Sequence, residues 1–336
     1  MTTPAPLRPA RPAAGQRPGL HDPGTLASDG TDAALARLAA YATLASSPHN
    51  TQPWLFRIAG GSLTISPDAS RALAVADPQG RAMTISLGCS AMSALVAAAA
   101  SGLSMTVASG ADGEVRLGLD GARADPALAP LFPALAARVS DKRRYPPETA
   151  EPPRLPVAGG IAVHYVTDPD ARTYLAGLHR QAVAGLARTG AFAAELAGWL
   201  RTSPADPRRD GMTLPPHVDA GALIAALSAS GDPLIQMGEL DARALEAGPL
   251  IGLLTSADEN KTAWVHAGLA WQRLALAAHA SGLAVAPLTA VVENPRTRRA
   301  AATLVPAGQH IQMLFRLGRS PGPLPPTARR DPTWIK

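Results

Sequence analysis

Residues 46–54 read Ser46-Ser47-Pro48-His49-Asn50-Thr51-Gln52-Pro53-Trp54, and they stand where a helical pattern gives way to a strand pattern. Upstream, Leu35, Leu38, Ala42 and Ala45 recur along one face, which predicts a helix over residues 32–46 with Asp32 as its N-cap. Pro48 cannot donate into a helix and restricts the residue before it, so the helix must stop there. Downstream, residues 54–58 and 62–66 read as strands joined at Gly60-Gly61, a hairpin signal. Between them, Ser47, His49, Asn50, Thr51 and Gln52 crowd donors and acceptors onto a short turn anchored by Trp54. Such a turn can read the edge of a polar heteroaromatic ring.

With 336 residues the chain is long enough for one large or two ordinary domains. Hydrophobic residues are 46% of it and aromatic ones only 4%, so Ala, Leu and Val must fill the interior. The formal net charge of +5 and pI near 9.9 would suit nucleic acid. Its basic residues are scattered and its aromatics sparse, so nucleic-acid binding is not expected. A single cysteine, Cys89, rules out an intramolecular disulfide and a cysteine metal cluster; it reads as a small buried residue and suits a reducing cytoplasm. No run of about 18 consecutive apolar residues is present, so no membrane association is expected. Residues 1–30 are rich in Pro, Gly and Ala without an apolar run, and read as a disordered leader rather than a secretory signal.

Residues 88–103 and 268–283 match at a constant offset of 180, pairing Gly88 with Gly268, Ser101 with Ser281, Gly102 with Gly282 and Leu103 with Leu283. Both copies are apolar nearly all round, as a central helix must be, and each ends on a glycine suited to a left-handed C-cap. A strand pattern follows in each half, over 114–120 and 310–317. In the second half, 161–167 and 249–256 also read as strands, and Asp168-Pro169 opens a helix over 170–188. Residues 202–217 are dense in Pro, Arg, Asp and Gly and read as a long loop with lid character. The pattern predicts an internal duplication.

The stretch 46–54 resembles the Pro-Ser-x-x-Asn-x-Gln-Pro-Trp signature of the FMN-dependent nitroreductase family, and its His-Asn-Thr-Gln-Pro-Trp form resembles the duplicated, Acg-type branch. That resemblance implies an α+β fold of two tandem nitroreductase-like repeats, with mixed, mainly antiparallel sheet and flanking and central helices, forming a pseudo-dimer. The expected division is a leader over 1–30, a first repeat over 31–135, and a second over 136–336 carrying the lid-like loop 202–217. The loop signature occurs only in the first half.

A second motif, Arg138-Val139-Ser140-Asp141-Lys142, resembles the family's phosphate and flavin motif and occurs only in the second half. Guanidinium and hydroxyl donors suit a phosphate dianion. By this resemblance Arg138 and Ser140 hold the phosphate, and Lys142 lies near the ribityl chain and the N1 edge. The extra residue before Tyr145 leaves Arg143 a candidate beside Lys142. Arg329 and Arg330 resemble the C-terminal arginine pair that closes the phosphate site. Leu288 and Thr289 lie where the family passes a backbone amide to flavin N5. With Ser47, His49, Asn50 and Gln52, these residues make one FMN site shared between the halves.

The resemblance implies an oxidoreductase that takes hydride from NAD(P)H and passes electrons to a nitro, quinone or related small acceptor. It equally allows a protein that binds FMN with little turnover because a lid covers it. No side chain is assigned a catalytic role, since the cofactor carries the chemistry. A monomer suffices for one site, and a homodimer stays open. His217, His266 and His279 have no metal-ligand spacing, and Trp199, Trp264 and Trp271 read as core. Rossmann, Walker and nucleophile-elbow motifs are absent, which argues against those enzyme classes.

Overall fold

The computed structural model describes residues 30–148, 151–153, 159–215 and 217–335. The expected leader lies outside them apart from Gly30. The first helix, α1 (Thr31–Ala42), is preceded by Gly30, so Asp32 sits inside its first turn rather than capping it. It also ends four residues before the expected Ser46. Thr43 Oγ1 donates to Ala40 O at 2.7 Å and the Leu44 amide to Tyr41 O at 3.0 Å, so the last turn tightens before Pro48 is reached.

Strands β1 (Trp54–Ala59) and β2 (Ser62–Pro67) form the expected hairpin, with Gly60 and Gly61 at φ 55° and 66°. Next come α2 (Arg81–Ala100), β3 (Met105–Ser109), β4 (Val115–Leu119) and α3 (Phe132–Ala137). The second half contains β5 (Ile161–Val166), α4 (Pro169–Ala187), α5 (Gly190–Gly198), β6 (Leu200–Arg201), β7 (Met212–Thr213), α6 (Ala220–Ala229) and α7 (Asp232–Ala247). It ends with β8 (Leu250–Ser256), α8 (Lys261–Ala280), β9 (Leu283–Pro287), α9 (Ala290–Glu293), α10 (Pro295–Ala301) and β10 (His310–Arg319). Asp168 caps α4 as expected, accepting the amides of Asp170 and Ala171.

Two antiparallel four-stranded sheets result, ordered β1-β2-β4-β3 and β5-β8-β10-β9. The order is the same in both when β5, β8, β9 and β10 stand for β1, β2, β3 and β4. The long helices α2 and α8 occupy the same place in each half, 180 residues apart. They cross tightly. A Cβ on Gly88 would lie 2.1 Å from Val265 O, and one on Gly268 would lie 2.0 Å from Ile85 O, so only glycine admits the backbones this close. By length and composition α2 could cross a membrane, yet 83% of that apolar window is buried inside the protein, as a central core helix requires. Trp264 and Trp271 lie in the core as expected.

Several elements were not legible. Strand β3 is largely exposed and lacks apolar alternation, and α6 buries only Leu227, so neither carries a periodic signal. The 202–217 segment is not wholly loop: β6 and β7 pair in parallel across it, Leu200 opposite Met212.

Where the first sheet joins β1 to β2 by two glycines, the second inserts α4 through α7 between β5 and β8. This insertion reaches back onto the first half. The Glu195 carboxylate accepts the amides of Val75 (2.9 Å) and Ala76 (3.0 Å), while Phe192, Leu196, Leu227 and Leu234 cluster with Leu73 and Ala76. The C-terminal tail crosses too. The Phe56 amide donates to Thr333 O and the Ile335 amide to Phe56 O, both at 2.8 Å, so the tail covers the free edge of β1.

Candidate functional site

The 46–54 turn is strained. His49, Asn50 and Gln52 adopt φ of 47°, 53° and 52°, a left-handed backbone that costs non-glycine residues about 1–3 kcal/mol each. Such a conformation persists only where surrounding contacts over-determine it. Those contacts come from both halves. Ser47 Oγ accepts the Gln52 amide at 3.0 Å, and Ser46 Oγ donates to Gln272 Oε1 of α8 at 2.7 Å. Asn50 Nδ2 donates to Gly211 O (3.1 Å) and Ala328 O (3.2 Å), and Gln52 Nε2 donates to Arg209 O (2.9 Å). Gln52 Oε1 accepts the Arg330 amide at 2.8 Å, and Arg329 donates to Asn50 Oδ1 (2.9 Å) and Ala45 O (3.1 Å).

Two side chains expected to read the flavin, Asn50 and Gln52, therefore tie the turn to the 209–211 segment and to the tail. A further clasp lies beside them. Asp210 is held by Arg201 Nη2 at 2.6 Å and by Arg71, which also donates to Thr51 O. Trp199 is flanked by the Arg71 and Arg201 guanidinium groups at 5.2 and 5.8 Å from its ring, so it is a platform for cations rather than plain core.

The 138–145 segment runs against β9, Ser140 bridging to Val285. It leaves α3 extended at Arg138, and the Asp141 amide donates to Val285 O of β9 at 3.0 Å. Beneath it, buried Arg316 of β10 donates to the carbonyls of Lys142 (2.6 Å) and Arg143 (2.9 Å) and stacks 4.1 Å from the Tyr145 ring. Arg143 turns away from the turn, donating to both Asp141 oxygens and to Gly322 O. The Asp141 carboxyl is held below its usual range despite its burial, because Arg143 donates to it. Ser140 is exposed. Lys142 extends to Asp241 of α7, at 2.9 Å.

Arg138 differs from its neighbours. Its side chain is 4% exposed, its Nε has no hydrogen-bond partner, and it makes no ion pair among the described residues. Burial pulls its pKa down from the usual arginine value. A buried guanidinium in this state carries a desolvation cost that no ion pair among the described residues offsets.

Charges from the two sides reach each other. Burial, and secondarily the charge of Lys142, lowers the His49 pKa to about 4, so its imidazole is neutral. Arg138 acts on the Cys89 thiol, which burial pushes up to about 12 and which bonds to Ser46. Near the same place, Glu293 of α9 bonds to Thr289, and burial raises its carboxyl above the usual range with Lys142 opposing. The Leu288 amide donates to Leu314 O at 2.8 Å, so that amide is already engaged.

Three segments far apart in sequence, 46–54, 138–143 and 328–330, thus converge with α9. Two Mycobacterium tuberculosis proteins, Rv3131 and MT3217, provisionally named NAD(P)H nitroreductases, are each 30% identical over 305 residues, covering 86% of this chain and 87% of theirs. The chain belongs to the nitroreductase family. No family model matches it. Solved nitroreductases align at lower identity. The FMN-dependent NfnB of Mycobacterium smegmatis in complex with NADPH is 17% identical, with a TM-score of 0.36 over 58% of this chain and 92% of that one. A nitroreductase with bound FMN from Desulfitobacterium hafniense is 15% identical, with a TM-score of 0.37 over 62% of this chain and 98% of that one.

Within this nitroreductase-family chain, Arg71, Asp210, Gln272 and Arg316 shape the site without having been expected there. Asp210 stands in Arg208-Arg209-Asp210-Gly211, which reads as a solvated charged loop, and the others carry no motif. A cleft of about 10 Å³, room for about one water molecule, is lined by Pro48, Thr51, Pro53, Arg71 and Asp77 and adjoins the turn. Among the described residues no group of His, Cys, Asp and Glu could hold a metal ion.

Proposed function

We propose that the chain binds one FMN between two tandem nitroreductase-like repeats, residues 31–135 and 136–336, and works as an NAD(P)H oxidoreductase toward a nitro, quinone or related small acceptor. The observation that carries this reading is the buried, unpartnered Arg138 beside the strained 46–54 turn. FMN, when bound, supplies hydride acceptance and electron delivery. Arg138 and Ser140 hold the phosphate, Arg329 closes it from the tail, and Lys142 places positive charge at the ring edge. His49, neutral through burial, lends an imidazole without adding charge. Thr289 and Glu293 stand at the opposite wall.

One site per chain is favoured by the unequal halves. The β9–β10 connection carries α9 and α10, whereas β3 and β4 are joined by a short turn at Gly113 with no room for an equivalent wall. A monomer is then sufficient, and the single buried cysteine fits a reducing cytoplasm. The test is the visible spectrum of purified protein with FMN, followed by anaerobic mixing with NADPH and with NADH. Loss of the oxidised-flavin absorbance within seconds supports the oxidoreductase. Failure to retain FMN removes the reading.

A second reading, FMN binding with little turnover, is favoured by one observation: residues 209–211 are already bonded to Asn50 and Gln52, with Asp210 locked between two arginines. A segment clasped this firmly restricts access to the site. Retained FMN with no bleaching over minutes selects this reading.

A further inference from the structure

Behind Lys142 lies a group that the flavin reading leaves unused. His179 of α4 is 2% exposed, and neither ring nitrogen has a hydrogen-bond partner. Its Nε2 stands 3.8 Å from Asp241 Oδ2, the same oxygen that Lys142 Nζ holds at 2.9 Å. Lys142 is 52% exposed in its side chain and reaches this carboxylate from the site side, whereas Asp241 is 13% exposed. One carboxylate oxygen therefore faces two cation-forming groups and is bonded to only one of them.

We propose that His179 is a proton-holding residue of the flavin site and that FMN binding loads it, because His179 and Lys142 compete for Asp241. This rests on the FMN reading given above. When Lys142 turns to an anionic cofactor, Asp241 loses its partner, and the part of the opposition to a charged His179 that comes from Lys142 rather than from burial is removed with it. A buried carboxylate without a partner is costly, and the nearest group able to restore an ion pair is the imidazole. His179 then takes one proton from solvent, and no electron moves.

Other charges around His179 do not supply this exchange. Arg180, on the same helix, is bonded to Glu239 (2.7 Å) and Glu246 (2.8 Å) of α7. Glu195 of α5 is committed to the Val75 and Ala76 amides, and Arg298 of α10 to Glu259; Arg296 and Arg299 of α10 are exposed. Glu293 of α9 bonds to Thr289. Burial and the charges of Lys142 and Arg180 hold His179 down to about 4, with only Asp241 opposing.

The experiment is calorimetric titration of the full chain with FMN at pH 6 in buffers of differing ionisation enthalpy, which counts protons taken up per FMN. Protonation of the FMN phosphate is common to all variants and cancels in the difference. Wild type should take up more protons per FMN than His179→Gln, because only wild type has an imidazole beside the Asp241 oxygen that Lys142 gives up. Equal uptake with FMN bound overturns the inference and leaves the flavin reading standing. Absence of FMN binding to wild type removes both. Should His179→Gln fail to fold, Lys142→Met at its half-exposed position decides: reduced uptake supports the competition, and unchanged uptake refutes it.

Discussion

Replacing Arg138 with methionine should move stability and FMN affinity in opposite directions. The guanidinium is buried without a partner, so the protein without FMN carries a desolvation cost of several kcal/mol that no ion pair offsets. Exchanging buried charge for an apolar side chain of similar length commonly stabilises by about 1–4 kcal/mol. The same substitution removes a charged hydrogen bond to phosphate, roughly 1.5–3 kcal/mol, equivalent to about 10- to 150-fold in affinity. Urea unfolding without FMN should therefore show a higher midpoint for Arg138→Met, while flavin fluorescence titration shows weaker binding. A purely structural arginine would give the reverse pair, lower stability and unchanged affinity. That result would falsify the assignment of Arg138 to the phosphate.

Further expectations concern packing, access and acid. Gly268→Ala should cost about 3 kcal/mol or more in urea unfolding, because its Cβ would meet the Ile85 carbonyl at 2.0 Å and force α2 and α8 apart; a loss below 1 kcal/mol would contradict the observed crossing. Asp210→Asn leaves Arg71 and Arg201 without their shared carboxylate, so trypsin should cleave after Arg208 and Arg209 faster than in wild type. If the clasp limits turnover, the same variant should bleach bound FMN faster with NADPH, and an unchanged rate would discard that role. His49 and His179 are both held down to about 4, so the unfolded chain binds their protons first as pH falls from 6.5. Their contribution to stability is present above pH 6.5 and is lost toward pH 4, by about 3 kcal/mol each. Raised carboxyls at Asp77 and Glu293 act in the opposite sense, so the measurement is the acid loss of wild type relative to His179→Gln, which should be shallower.

Much of the architecture was legible because its causes are local. The hairpin at Gly60-Gly61, the Asp168 cap on α4 and the paired Gly102 and Gly282 termini of α2 and α8 each follow from backbone preferences of a few residues. The left-handed glycines at both termini, each at φ 74°, adopt the conformation that the repeated Ser-Gly-Leu endings implied. The end of α1 was placed too late because Thr43 and Leu44 tighten the turn through contacts that periodicity does not encode. Helices α6 and α7 escaped because much of their apolar content stays exposed, Ile224, Ile235, Met237 and Leu240 among it, which blurs any helical stripe.

Candidate site residues divide along the same line. Resemblance to the family's motifs marked Arg138, Lys142 and the 46–54 turn, and it left Lys142 and Arg143 both as candidates. Tertiary structure separated them, binding Arg143 to Asp141 and leaving Lys142 to face Asp241, His179 and the turn. Likewise, nothing in the string of letters says that Asn50 and Gln52 would spend their amides on residues 157 to 278 positions away, since such partners exist only once the chain is folded. Sequence determined which groups could donate, accept or carry charge, through side-chain chemistry. Folding decided which remained without a partner, because only close packing removes water and leaves a guanidinium such as Arg138 buried with its Nε unbonded.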